Sequence, residues 1–175
     1  RNPAMNAPQK PRSPLKPLDE ALADLLAHAQ PLPGVETVDT FNADGRVLAQ
    51  DCVSALHVPP QDNSSMDGYA VRLTDVAAVG VVLPVSQRIA AGSAGEPLAA
   101  GTAARIFTGA PVPEGADAIL MQEDCEALAA AEGLGQVRIN AVPAAGQWIR
   151  RAGEDIPQGG VVLQAGTRLS PAELG

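Results

Sequence analysis

Three short segments concentrate the residue types that do chemistry. In Asp62-Asn63-Ser64-Ser65-Met66-Asp67-Gly68-Tyr69-Ala70-Val71, two carboxylates five apart sit among hydroxyls on a loop that opens with Pro59-Pro60. Oxygen-rich loops of this kind can hold a hard divalent cation with its waters. The plain alternative is a loop closed by an Asx turn at Asp67-Gly68, since Asp bonds back to its own chain. In Arg105-Ile106-Phe107-Thr108-Gly109-Ala110-Pro111-Val112-Pro113-Glu114-Gly115, Thr108 stands at a strand end with its hydroxyl and amide available. The prolines that follow make either a stiffened hairpin loop or the rigid lip of a pocket. In Arg150-Arg151-Ala152-Gly153-Glu154-Asp155-Ile156, two arginines precede two acids. They form either surface salt bridges or a mixed-charge site where arginines meet anions and an acid meets a metal.

Other chemistries are poorly supported. The sequence has no GxGxxG, Walker, HExxH or GxSxG segment. His28 and His57 are the two histidines, and a zinc site or histidine triad needs more. His28 reads as a surface residue at a helix end and His57 as structural. Cys52 and Cys125 form no CxxC pair and read as free thiols of a cytoplasmic protein.

The elements that must position these segments are mostly strands. Leu18, Leu22, Leu25, Leu26 and Ala29 draw one stripe on a helix, with Pro17 at its start and Pro31 and Pro33 beyond its end. After it, short apolar runs at 36–40, 51–56, 68–72, 80–84, 104–108, 118–123, 136–140 and 161–163 alternate with Gly/Pro/Asn turn signals. Residues 45–50 and 126–132 are expected as short helices. Leu98-Ala99-Ala100-Gly101-Thr102 recurs as Leu163-Gln164-Ala165-Gly166-Thr167, one turn used twice. Ser170-Pro171 looks like a helix start, which suggests the front part of a longer protein.

The chain carries 12 basic and 20 acidic residues, a net charge of −8, and 2% aromatics. An acidic body with so few rings argues against a nucleic-acid platform. No apolar run approaches a membrane span. Residues 1–14, rich in proline and basic side chains, read as a disordered tail.

Taken in order, the three segments closely resemble the N-terminal region of the molybdopterin molybdenumtransferase family of molybdenum cofactor biosynthesis. The resemblance implies a mainly β fold with one N-terminal amphipathic helix. The helix, 15–31, would dock on an α/β domain absent from this chain. A coiled or bifurcated, elongated β domain would use 32–54 and 146–175, and a small β-barrel-like domain, 55–145, would be inserted in it. It implies insertion of molybdenum from molybdate into adenylylated molybdopterin with release of AMP, in a cytoplasmic protein that is a homodimer when complete. Asp67, Thr108 and Asp155 match the family's functional residues. Asp67 and Asp155 would hold Mg²⁺ against the pyrophosphate, and Thr108 would orient the substrate. Ser65, Arg105, Arg150 and Arg151 are candidate substrate contacts. Carboxylates can approach such an anion only if a cation offsets the repulsion. Because most pterin contacts of the family lie outside this region, the piece alone is expected to be inactive. The alternative is a non-catalytic dimerisation or scaffold module of the same fold.

Overall fold

The computed structural model describes residues 15–30, 34–129 and 132–175, so the expected tail 1–14 lies outside the described residues. The chain divides into two units between Asp39 and Thr40. In the first, helix α1 runs Leu18–Ala27. Asp19 and Glu20 lie in its first turn, where the helix dipole favours negative charge. It is shorter than the expected 15–31. Pro17 is extended and caps the helix rather than entering it, and the chain leaves the helix at His28, before Pro31. His28 Nδ1 donates to the carbonyl of Asp24 at 2.6 Å, the satisfied surface role expected of it. The leucine stripe is exposed throughout the helix.

The second unit is almost entirely β. Strands β1 (Cys52–Val53), β2 (Asn63–Ser64), β3 (Gly68–Val71), β4 (Val82–Ile89), β5 (Ala103–Ile106), β6 (Ala118–Met121), β7 (Cys125–Leu128), β8 (Gln136–Ile139), β9 (Ile149–Arg150) and β10 (Val161–Leu163) precede a one-turn helix α2 (Pro171–Leu174). Ser170 and Glu173 close that helix with a reciprocal capping box.

Two stretches pair at long sequence separation. β1 lies antiparallel to β10, and isolated bridges Val47↔Arg168 and Val58↔Ile156 extend the same ribbon. β2 then pairs antiparallel with β9. The chain between them forms a six-stranded sheet in the order β6-β3-β5-β4-β8-β7. All its pairs are antiparallel except β4–β5. β4 changes partner along its length, from β8 at 82–84 to β5 at 85–89, with a bulge between Val85 and Gln87. Bulges bend and coil a sheet there.

Chain connectivity requires the sheet to curl. β6 and β7 are its two edges, yet only the 3₁₀ turn Gln122–Asp124 separates them. Four Cα steps reach at most about 15 Å. A flat sheet would hold edges five strand spacings apart at about 24 Å. The strands therefore wrap into a barrel-like half-cylinder. Tyr69, Val71, Leu83, Ala103, Leu120, Val137 and Ile139 pack on its inner face. Ala70, Ile89, Ala104, Ile106 and Ile119 form a second core on the outer face, with Leu98 and Ala110 from connecting segments. β3 is thus buried on both sides, which explains its unbroken apolar run.

Several expected elements differ. Residues 36–39 form no strand, and Thr40–Asn42 is a 3₁₀ turn. No helix forms at 45–50, where Val47 is drawn into the ribbon. The alanine-rich 126–132 stretch begins as strand β7, because register pairing with β8 outweighs helix propensity. The repeated Leu-x-Ala-Gly-Thr turn does recur. Thr102 N–H bonds to Ala99 and Thr167 N–H to Gln164, with Gly101 and Gly166 both at positive φ. Cys52 and Cys125 are both free thiols. No described helix is long and apolar enough to cross a membrane.

Candidate functional site

Asp67 stands where three adjacent strands meet. It immediately precedes β3, and its carbonyl accepts the N–H of Gln122 just past β6. Its carboxylate reaches the residue two beyond β5. Oδ1 accepts the Thr108 hydroxyl at 2.7 Å and the Thr108 N–H at 2.8 Å. Asp67 and Thr108 are both exposed. The Thr108 hydroxyl bond, then the Thr108 N–H bond, with Arg105 nearby, hold the Asp67 carboxyl below its ordinary value. The group is therefore a carboxylate at neutral pH. Both bonds fall on one oxygen, and among the described residues no donor reaches Oδ2.

The expected Asx turn at Asp67-Gly68 is not formed. Gly68 lies inside β3, and the Asp67 side chain bonds 41 positions along the chain rather than to its own backbone. Glycine is needed there for another reason. A Cβ on Gly68 would stand 1.7 Å from the Leu120 carbonyl oxygen, so only glycine lets β3 lie so close to β6.

Ser64 and Ser65 tie this loop to the neighbouring segments. Ser64 is buried, and its hydroxyl donates to the Met66 carbonyl at 2.6 Å. Ser64 N–H bonds to Ala110 and Gly109 N–H returns to Ser64, so the Thr-Gly-Ala-Pro segment is laced to the first loop. Ser65, an expected substrate contact, donates both its N–H and its hydroxyl to the Trp148 carbonyl, at 3.0 and 2.9 Å. These bonds hold Trp148, a non-glycine residue at φ 57°.

The third segment forms its own charged cluster. Asp155 pairs with Arg150 at 2.5 Å. That bond, first of all, and the charge of Asp155 raise the Arg150 pKa. Arg151 reaches back to Asp62 at 2.6 Å, and Asp62 also accepts the Ala152 N–H at 2.8 Å. The Ala152 bond, followed by Arg151, lowers the Asp62 pKa against the opposing effect of burial. Asp62 thus clamps two loops together and is no free partner for Asp67 in a cation loop. His57 Nδ1 accepts the Gln158 N–H at 3.0 Å. Gly153 sits at positive φ with its Cβ position only 2.5 Å from His57 Nδ1, which leaves room for glycine alone.

Arg105 lies on the barrel rim. It donates to the Gly68 carbonyl at 3.1 Å and to Gln122 Oε1 at 2.7 Å. The structure therefore joins Asp67 directly to Thr108, places Arg105 beside them, and joins Arg150, the last residue of β9, to Asp155. No bond or ion pair links Asp67 to Asp155 among the described residues. Sequence reasoning missed Gln122 and Ser64, whose roles appear only once the strands are paired. It also missed Asp62 as the partner of Arg151, 89 positions away.

A divalent cation suits the donor set at Asp67: an exposed, ionised carboxylate with one oxygen held and the other open. Mg²⁺ is commonly bound by one or two carboxylates together with substrate oxygens and water. Asp155 has one oxygen held by Arg150, so it would meet a cation through its other oxygen or by exchanging Arg150. Among the described residues no group of three His, Cys, Asp or Glu side chains is placed to hold a metal.

Comparison with known proteins accounts for the three segments together. The family model "MoeA N-terminal region (domain I and II)" matches residues 16–175. The chain is 36% identical over 157 residues to molybdopterin molybdenumtransferase of Haemophilus influenzae, covering 90% of this chain and 38% of that protein. It is 42% identical over 162 residues to molybdopterin molybdenumtransferase 2 of Mycobacterium tuberculosis, covering 88% and 37%. The crystal structure of the molybdopterin biosynthesis moeA protein from Pyrococcus horikoshii OT3 superposes with a TM-score of 0.81 at 36% identity, covering 91% of this chain and 42% of that one. The chain spans about two fifths of the length of these relatives. Joined with the mainly β architecture and the clasped Asp67-Thr108 rim, these matches mean that the chain belongs to the MoeA N-terminal region family.

Proposed function

We propose that this chain supplies one wall of the site at which a molybdopterin molybdenumtransferase inserts molybdenum from molybdate into adenylylated molybdopterin, with release of AMP. Asp67 is the central residue. Thr108 holds one oxygen of its carboxylate and keeps it ionised, and the other oxygen faces outward to take Mg²⁺. When bound, that cation offsets the negative charge of the substrate pyrophosphate. Thr108, through its hydroxyl, orients Asp67 and the adjoining substrate oxygen. Arg150 and Asp155 form an exchangeable pair, with the guanidinium taking a substrate anion while the acid turns to the cation. Arg105, Arg151 and Ser65 line the approaches. Molybdenum goes to the dithiolene sulfurs of the pterin, so Cys52 and Cys125 have no part. The reading includes homodimeric assembly of the complete enzyme in the cytoplasm.

The Asp67–Thr108 clasp is the observation that carries the reading. The test is a chimera in which this chain replaces the matched region of the Haemophilus influenzae relative. Asp67→Asn in that chimera should lower molybdenum cofactor formation by at least about a hundredfold, the scale of losing a preorganised charged group, with the thermal transition unchanged. Undiminished activity in the folded Asp67→Asn protein would remove Asp67 from the mechanism.

A further inference from the structure

β4 and β5 run parallel, and their register places Arg88 directly beside Arg105. Like charges at facing positions of a sheet are destabilising. Neither arginine has a salt-bridge partner among the described residues, although the Asp67 carboxylate lies near enough to Arg105 to feel its charge. Arg72, Arg138, Arg150 and Arg151 each meet a carboxylate, at 3.9, 2.5, 2.5 and 2.6 Å. Among the described residues, neither Arg88 nor Arg105 makes an ion pair.

Stacking holds the two guanidinium groups together. Arg88 lies 4.7 Å and Arg105 4.6 Å from the centroid of Phe107, and Arg105 is also 5.1 Å from that of Tyr69. Two of the four aromatic residues of the sequence are spent on this arrangement. Stacking fixes the planes of the guanidinium groups but satisfies none of their N–H donors. Arg105 uses two donors, on Gly68 and Gln122. Arg88 uses none among the described residues. Both side chains border an open cavity of about 190 Å³ whose other walls are Tyr69, Val85 and Leu134.

We propose that Arg88 and Arg105 form a binding subsite for a tetrahedral dianion, phosphate or molybdate in chemical class, at the mouth of the barrel. Adjacent cations, Arg88 with its fork unfilled and Arg105 with donors to spare beyond Gly68 and Gln122, match, in a chain of net charge −8, an oxyanion that accepts several N–H donors at once. Arg88 is the new element. The inference rests on the transferase reading only for Arg105 as an anion contact. The experiment uses simple oxyanions and no turnover, so its failure is distinct from a failure of that reading.

The test follows arginine Nε and backbone amide resonances of the 175-residue chain while inorganic phosphate, molybdate or pyrophosphate is added at constant ionic strength. Saturable shifts at Arg88, Arg105 and Phe107 are expected. Arg88→Gln should weaken binding by about tenfold or more, the scale of losing a charge-assisted contact. Arg88→Lys, which keeps the charge but loses the fork, should fall between the two. Arg88 is exposed, so both variants should stay folded, which the melting temperature, measured alongside, checks. Tighter binding of molybdate than phosphate assigns the subsite to the metal oxyanion, and tighter binding of pyrophosphate assigns it to a bridging diphosphate. Shifts that are absent, that do not saturate, or that survive unchanged in Arg88→Gln would overturn the proposal.

Discussion

Gly68→Ala probes the link between barrel packing and the carboxylate on its rim. The added methyl would stand 1.7 Å from the Leu120 carbonyl oxygen, 2.8 Å from its carbon and 3.1 Å from Met121 Cα. All three are main-chain atoms, so no side-chain rotation relieves the overlap. Reaching even a tight contact of about 3.2 Å needs about 1.5 Å of movement between β3 and β6. A ladder hydrogen bond is lost once its atoms part by roughly 0.6 Å. Two such bonds at about 1 kcal/mol each, plus about 1–3 kcal/mol of overpacking, give a loss of about 3–5 kcal/mol. For a domain of this size that lowers Tm by about 10–15 °C. β3 lies between β6 and β5, so the same movement changes the spacing of Asp67, the preceding residue, from Thr108, and the Thr108 amide resonance should shift as that bond is distorted. Gly95→Ala is the matched control. Its methyl would meet Ile89 Cδ1 at 2.4 Å and Gln87 Oε1 at 2.9 Å, side-chain atoms in place of main chain, and should cost about 1–2 kcal/mol. Calorimetry and amide spectra of the two variants decide the matter. A Gly68→Ala protein that melts no lower than Gly95→Ala, with the Thr108 amide unmoved, would refute the account of both the close approach and the coupling.

Two further outcomes follow from the carboxylate and the thiols. Thr108 lowers the Asp67 pKa below its ordinary 3.8, so this bond stabilises the fold above that pH and its contribution is lost as pH falls through the folded-state value. Thr108→Val should move the Asp67 carboxyl-carbon titration upward toward 3.8, and identical midpoints in the two proteins would show that the hydroxyl does not matter. Burial first, then Asp124, pushes the Cys125 thiol up to about 12, whereas Cys52 is exposed. At pH 8 the thiolate fraction of Cys125 is about 10⁻⁴, so a disulfide reagent should label one thiol quickly and the second only on unfolding. Two fast thiols would contradict the partial burial of Cys125 as the cause of its raised pKa.

Local patterns carried much of this structure. The leucine spacing marked α1, and apolar runs bounded by glycine and proline marked β3, β5, β6, β8 and β10. Other features depend on partners distant in the chain. The start of 126–132 reads as helix in isolation, yet residues 126–128 lie in strand β7 because β8 offers them a ladder. Asp67-Gly68 has the composition of a turn, yet the threonine that fills the Asp67 acceptor lies 41 residues on. Asp62 and Arg151 read as members of separate sites until β2 pairs with β9 and brings them together. The three motif segments were legible because each is continuous. The Arg88–Arg105 pair was not, because parallel pairing of β4 with β5 creates it and no sequence window contains both.

The packed interior of the half-cylinder has one more implication. Val71, Ala103, Ala118, Leu120, Val137 and Ile139 are all 0% exposed and pack on one another, so the middle of the half-cylinder is filled with side chains and its open cavity lies toward the Arg88–Arg105 end. Recognition is thereby confined to the ends of strands. Relatives can exchange or lengthen the segments at 62–68, 105–110 and 149–155 while the plug beneath stays constant. Divergence in ligand preference within such a family should therefore track loop composition at one end of the cylinder and leave its filling unchanged.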